Sequence, residues 1–147
     1  PKQAWLEPLM RQGRGSNFNL AAADMSGVRR LLKALKQGEL VGMLPDQVPG
    51  TGEGVWAPFF GRPAYTMTLA ARLAETGATV ILTYAERLPY GAGYHVYFLP
   101  LSQRLEGDLT QRATQINAEI ETMIRQCPAQ YLWGYKRYKV PAGTQVP

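Results

Sequence analysis

The sequence predicts an α/β fold, a mixed β-sheet flanked by helices. Three observations carry that expectation. Apolar residues at helical spacing alternate along the chain with short β-branched or aromatic runs. Glycines or prolines punctuate the changes of pattern. The resulting order is helix, strand, helix, strand, strand, helix, which is part of an α/β sandwich. At 147 residues and 46% hydrophobic the chain can bury a real core as one domain, residues 1–147. The element set is nonetheless sparse for a complete doubly wound domain, and a piece of a larger fold is the better reading.

The first helix follows Asp24 or Ser26, either of which can cap it, and runs to about Gln37. Val28, Leu31, Leu32 and Leu35 fall at the i, i+3, i+4, i+7 spacing of a buried face, and Gly38 supplies the stop. Leu40-Val41-Gly42-Met43-Leu44 is a short apolar run ending at Pro45, which predicts a buried strand in a parallel or mixed sheet. Beyond a glycine-rich loop, Thr66 can cap a second helix with Leu69, Ala70 and Leu73 inward, closed by Gly77. Residues 79–84 predict a second buried strand, and residues 94–99 a third, reached through the turn at residues 89–93. Asp108 and Gln111 fit a capping box for a long last helix. Its stripe is Leu109, Ala113, Ile116, Ile120 and Met123 or Ile124, and Pro128 ends it.

Charge is unevenly placed. Residues 1–37 carry seven basic and two acidic side chains, residues 38–135 six basic and nine acidic, and residues 136–147 three basic and none acidic. Basic ends around an acidic centre suit a phosphate-bearing or anionic-surface partner, or plain solvated faces. Cys127 is the only cysteine, which excludes an internal disulfide and a cysteine metal cluster. No run approaches the roughly 18 to 20 apolar residues of a membrane-spanning helix. The chain opens at Pro1 with no Met-initiated signal peptide, and is expected to be a fragment.

The stretch from Leu44 to Pro63 concentrates the candidate chemistry. Asp46 and Gln47 sit where a strand turns outward; a carboxylate there can accept a bond from a substrate hydroxyl, orient another group, or simply close an Asx-turn. Gly50-Thr51-Gly52-Glu53-Gly54 offers backbone N–H groups to an anion, but lacks the Lys and Ser/Thr of a P-loop. Phe59 and Phe60 form either core or the wall of an acyl pocket. Arg14 and Arg87 are candidate phosphate clamps.

His95, the sole histidine, reads as a structural residue, and neither a nucleophile–histidine constellation nor a metal set accompanies it. No cofactor site is expected. The segment from Tyr131 to Lys139 interleaves aromatics with bases, which suits nucleic-acid stacking, a membrane interface, or packing of the aromatics onto the fold.

In their order, these stretches resemble the bacterial lipid A biosynthesis acyltransferases of the lysophospholipid acyltransferase superfamily. The matching pieces are Gly27-Val28-Arg29, Leu35-Lys36-Gln37-Gly38-Glu39, Leu44-Pro45-Asp46-Gln47, Phe59-Phe60-Gly61, Thr76-Gly77-Ala78, Pro128-Ala129-Gln130-Tyr131-Leu132-Trp133 and Arg137-Tyr138-Lys139. The resemblance implies the C-terminal part of a glycerolipid-acyltransferase-like fold. It also implies transfer of a fatty acyl group from acyl carrier protein to a hydroxyl of a lipid A precursor, at the cytoplasmic face of the bacterial inner membrane.

The family's His-x4-Asp/Glu motif is absent: His95 has Pro100 five positions on. The resemblance therefore implies that the catalytic histidine and a membrane helix lie upstream of Pro1, and that this chain is inactive alone. It places Arg14 near a phosphate-contacting arginine and Asp46-Gln47 in the third conserved block. There Asp46-Gln47-Val48-Pro49 departs from the Glu-Gly-Thr-Arg of glycerol-lipid relatives. Expected partners are the acyl carrier protein, the lipid A precursor and an anionic membrane surface, with no nucleic acid. The alternative is a non-catalytic basic module that binds nucleic acid or an anionic membrane.

Overall fold

A computed structural model of the chain describes Pro8 and residues 18–147. The chain forms two compact units, Pro1–Val41 and Gly42–Pro147. Within the described part of the first, helix α1 spans Met25–Lys36. Asp24, not Ser26, is the cap: its carboxylate accepts the Ser26 and Gly27 N–H groups at 2.8 and 3.0 Å and the Ser26 hydroxyl at 2.6 Å. Those bonds, the Ser26 hydroxyl first, hold the Asp24 carboxyl below its ordinary value. At the other end Gly38 takes φ +76°, and the Glu39 and Gly38 N–H groups bond back to the Ala34 and Leu35 carbonyls. That is a Schellman stop, which needs a left-handed residue where glycine stands. The face of Val28, Leu31, Leu32 and Leu35 is only half-buried, and Gly27 is the buried residue of this helix.

The second unit is built from β1 (Gly54–Phe59), β2 (Arg62–Met67), α2 (Leu69–Ala74), β3 (Ile81–Arg87), β4 (Tyr94–Pro100) and α3 (Leu109–Gln126). The α/β character holds; the sheets are two antiparallel ribbons, β1–β2 and β3–β4.

The apolar run 40–44 is not a strand: a fully apolar strand needs sheet neighbours and covering layers, and Leu40 stands 91% exposed. β3 begins at Ile81 instead of Thr79 and alternates half-buried with exposed positions, because its ribbon is covered on one side only. Thr66 does not cap α2. It lies inside β2, fully buried, and α2 starts after Thr68 with Ala71 and Leu73 inward. The capping box of Asp108 and Gln111 is formed in full at the start of α3.

The β1–β2 hairpin was not anticipated. Phe59 pairs with Arg62, so Phe60-Gly61 is a two-residue loop, and both take positive φ, +47° and +72°. This is the type I′ turn that matches strand twist. Pro58 faces Pro63 at the next pair, the non-hydrogen-bonded one, where neither ring removes a ladder donor. α3 lies across this hairpin. Phe59, Ala64, Ala71, Ile116, Ile120 and Ile124 form the core, with Phe60, Leu105, Leu109, Tyr131 and Tyr138 packed around it.

Candidate functional site

The residues after α3 carry no long regular element, yet they are fastened side chain by side chain to the hairpin and to residues 44–54. The Tyr138 hydroxyl donates to the Phe59 carbonyl at 2.7 Å, and the Tyr135 hydroxyl accepts the Val48 N–H at 2.8 Å. Thr51 and Trp56 donate to the Ala142 and Gln145 carbonyls. The segment that begins with the Pro45-Asp46 turn is thereby held against the Tyr131–Tyr138 stretch.

At the centre of this arrangement lies Arg137, only 3% exposed. Its guanidinium donates to the Tyr65 carbonyl (2.9 Å), the Thr66 hydroxyl (2.7 Å) and the Asn117 side-chain oxygen (3.3 Å), and stands 5.0 Å from the centre of the Phe59 ring. Asn117 donates in turn to Thr66 and to the Pro58 carbonyl. The Thr66 hydroxyl donates to the Ala64 carbonyl. Its one proton and two lone pairs are then all used. The Arg137 Nε is likewise buried, with no partner among the described residues.

Burial pulls the Arg137 guanidinium below its ordinary value, opposed by Tyr131 first and then by Asp46. It stays charged at physiological pH. Burial also pushes the Tyr131 phenol up, with the Asp46 charge adding to it. The charge on Asp46 thus acts on both Tyr131 and Arg137, with no hydrogen bond joining it to either among the described residues. Asp46 is half-buried, and its carboxylate makes no hydrogen bond within the described residues, so no Asx-turn bond is seen there. Gln47 beside it is exposed.

The glycine-rich loop does not cradle an anion. The Gly52 and Gly54 N–H groups both donate to the Tyr65 hydroxyl at 3.1 Å, and the Gly50 N–H to the Glu53 carboxylate at 3.1 Å. With the Glu53 N–H on the Gly50 carbonyl, four of its five backbone donors are engaged within the fold.

Phe59 is 2% exposed and belongs to the core. Phe60, half-buried in the turn, holds its ring 4.9 Å from Phe59 and 5.8 Å from Trp133. The Arg125 guanidinium lies 4.9 Å from the Phe60 ring, and the Phe60 N–H donates to Glu121. Arg87 ends β3 with an exposed side chain; the Gln130 side-chain amide exchanges two bonds with its backbone, at 2.8 and 3.0 Å. Arg14 lies outside the described residues. His95 is exposed instead of buried in a satisfied site, its ring edge-on to Tyr97.

The sequence reading takes Thr66 as a helix cap and Arg137 as one base of the aromatic segment, and does not single out Asn117 or the cluster the three form. The usable signal was Asn117, a polar residue inside the apolar stripe of α3 one position past Ile116, which calls for a buried partner.

The pattern of the family described as bacterial lipid A biosynthesis acyltransferase matches residues 1–140. Among curated proteins, the Escherichia coli (strain K12) lipid A biosynthesis lauroyltransferase is 34% identical over 131 residues, covering 86% of this chain and 42% of that protein. The palmitoleoyltransferase of the same organism is 32% identical over 141 residues, 94% of this chain and 46% of that protein. A lipid A biosynthesis acyltransferase of Haemophilus influenzae is 27% identical over 133 residues, covering 90% of this chain and 41% of its own length. The chain therefore spans less than half the length of these relatives.

Proposed function

The chain belongs to the bacterial lipid A biosynthesis acyltransferase family, and we propose that it is the C-terminal half of an enzyme that moves a fatty acyl group from acyl carrier protein to a hydroxyl of a lipid A precursor. In that reaction the hydroxyl oxygen attacks the thioester carbonyl, the hydroxyl proton passes to a base, and the carrier's thiolate leaves. The family's base is a histidine with a carboxylate four residues between, and the chain's one histidine, His95, has Pro100 at the matching distance. The base therefore belongs to the remaining part of the longer polypeptide, together with a membrane helix at the cytoplasmic face of the inner membrane.

What this chain contributes is one wall of the site. The observation that carries the reading is the turn at Asp46, tied through Val48 to Tyr135 and set in the field of the buried Arg137. A carboxylate held there can accept a hydrogen bond from the acceptor sugar or orient the catalytic base. Phe60 supplies apolar surface for an acyl chain, and Gln47 and Arg87 add polar and cationic contacts for a phosphorylated glycolipid. An anionic membrane surface is the third partner.

The test is acyl transfer measured side by side for purified 1–147 and for the full-length protein, with acyl carrier protein thioester and a lipid A precursor. Product from the full-length protein alone is the expected result. Product from 1–147 alone would overturn the division of the site, and product from neither would overturn the activity.

A further inference from the structure

The stretch from Leu132 to Val140 is divided by the fold into two sets. Arg137 is buried and Tyr138 half-buried, engaged as described. The others point outward: Leu132 is 72% exposed, Trp133 58% and Val140 43%, with Lys136 and Lys139 exposed between them. A single exposed leucine is unremarkable. Leu132 and Val140 stand outward around two lysines in a segment without regular structure, and Trp133, part of its ring packed on Tyr131 and Phe60, keeps the rest exposed.

The surroundings extend it. No acidic residue follows Glu121, so everything from residue 122 to the end is neutral or basic. Two arginines stand over neighbouring rings, Arg125 over Phe60, which packs on Trp133, and Arg62 over Tyr138 at 4.4 Å. Glu121, which pairs with Arg125, is itself mostly buried.

We infer that this outward set is a membrane-contact surface, in which Leu132, Trp133 and Val140 enter the headgroup layer of an anionic bilayer while Lys136 and Lys139 meet its phosphates. Charge complementarity selects the anionic surface. The aliphatic side chains select lipid over nucleic acid, since Leu and Val give no face on which a base can stack, whereas both are favoured in the acyl boundary. Trp133 offers a partly exposed indole whose N–H is already satisfied by the Pro128 carbonyl at 2.8 Å, so burying its open face in lipid strands no donor. The inference deepens the membrane partner of the reading above by naming the residues. It does not depend on acyl transfer.

The experiment uses the native chain beside its Trp133→Phe variant, the difference between their emission spectra reporting Trp133. Emission and co-sedimentation are followed with phosphatidylcholine vesicles, with and without a quarter of phosphatidylglycerol. The expected result is a blue shift and partition on the anionic vesicles only. Partition should fall about tenfold or more in Lys136→Gln/Lys139→Gln, and about tenfold in Leu132→Ser. Leu132 makes no side-chain hydrogen bond, so that variant keeps the fold intact by circular dichroism.

Partition unchanged by both variants, or equal on neutral vesicles, would overturn the inference. So would no partition at all, binding to single-stranded oligonucleotide in its place, or loss only on Val96→Ser/Phe98→Ser in the β3–β4 ribbon. Failure of acyl transfer by the full-length protein would leave these results untouched, so the two readings fail separately.

Discussion

The Arg137 guanidinium lies 2.7 Å from the Thr66 hydroxyl, and that bond joins the irregular end of the chain to the second strand of its central hairpin. The pair sits between Asn117 of α3 and the Tyr65 carbonyl, with no carboxylate among the hydrogen-bond partners of Arg137 in the described residues. A buried cation held by neutral acceptors is costly to bury and costly to remove, because each acceptor it leaves is already desolvated.

Arg137→Ala should therefore destabilise the chain by about 3 kcal/mol in urea unfolding. Arg137→Lys should recover only part of this, since an ammonium cannot span three acceptors set for a planar fork. Equal stability of the lysine variant and the native chain would show that charge alone matters there.

Gly61→Ala isolates the cost of the turn. The site has open space, with nothing within 4 Å of an added Cβ, so only its φ of +72° opposes the change. The expected loss is about 1 kcal/mol. Phe60→Asn should be smaller in net effect, because Asn tolerates the left-handed conformation while the lost ring contacts act the other way. A large loss for Phe60→Asn with none for Gly61→Ala would mean that ring packing, not the turn, holds the hairpin.

Tyr65→Phe should loosen the glycine-rich loop, since one hydroxyl accepts both the Gly52 and the Gly54 N–H. Amide exchange at those two positions should quicken while exchange in α3 stays unchanged. Unaltered exchange at Gly52 and Gly54 would show that the loop is held by other bonds.

The cap of α1 carries a pH dependence. Asp24 is held below its ordinary value, so its contribution is present above the unfolded carboxylate value and is lost as pH falls through the lower folded one. Protection of the Ser26 and Gly27 amides, relative to intrinsic exchange at the same pH, should therefore fall below about pH 4, and Asp24→Asn should flatten that fall. A pH-independent Asp24→Asn profile identical to the native one would remove the carboxylate from the account.

The elements legible in the sequence were those specified by their own residues. Asp24 and Gly38 bracket α1, and Asp108 with Gln111 opens α3, because caps act within a few residues. The β1–β2 hairpin was illegible because each strand carries a proline and its turn is Phe-Gly instead of Asn-Gly. Only the pairing register shows that Pro58 and Pro63 fall opposite one another where no donor is required. Leu40 to Leu44 was misread for the opposite reason, since a buried strand depends on neighbours that apolarity alone does not provide. Of the candidate site, Asp46 and Phe60 were visible as residues. Arg137 was seen only as one basic residue among aromatics, since its burial depends on Thr66 and Asn117 from elements far away in sequence.

The account turns on Asp46, the carboxylate on the turn that Val48 ties to Tyr135. Acyl transfer by the full-length protein from acyl carrier protein thioester to a lipid A precursor, compared with its Asp46→Ala variant at equal thermal stability, tests it most directly. The predicted result is a rate lowered about a hundredfold, with an unchanged melting temperature. Undiminished transfer by the folded Asp46→Ala protein would contradict it.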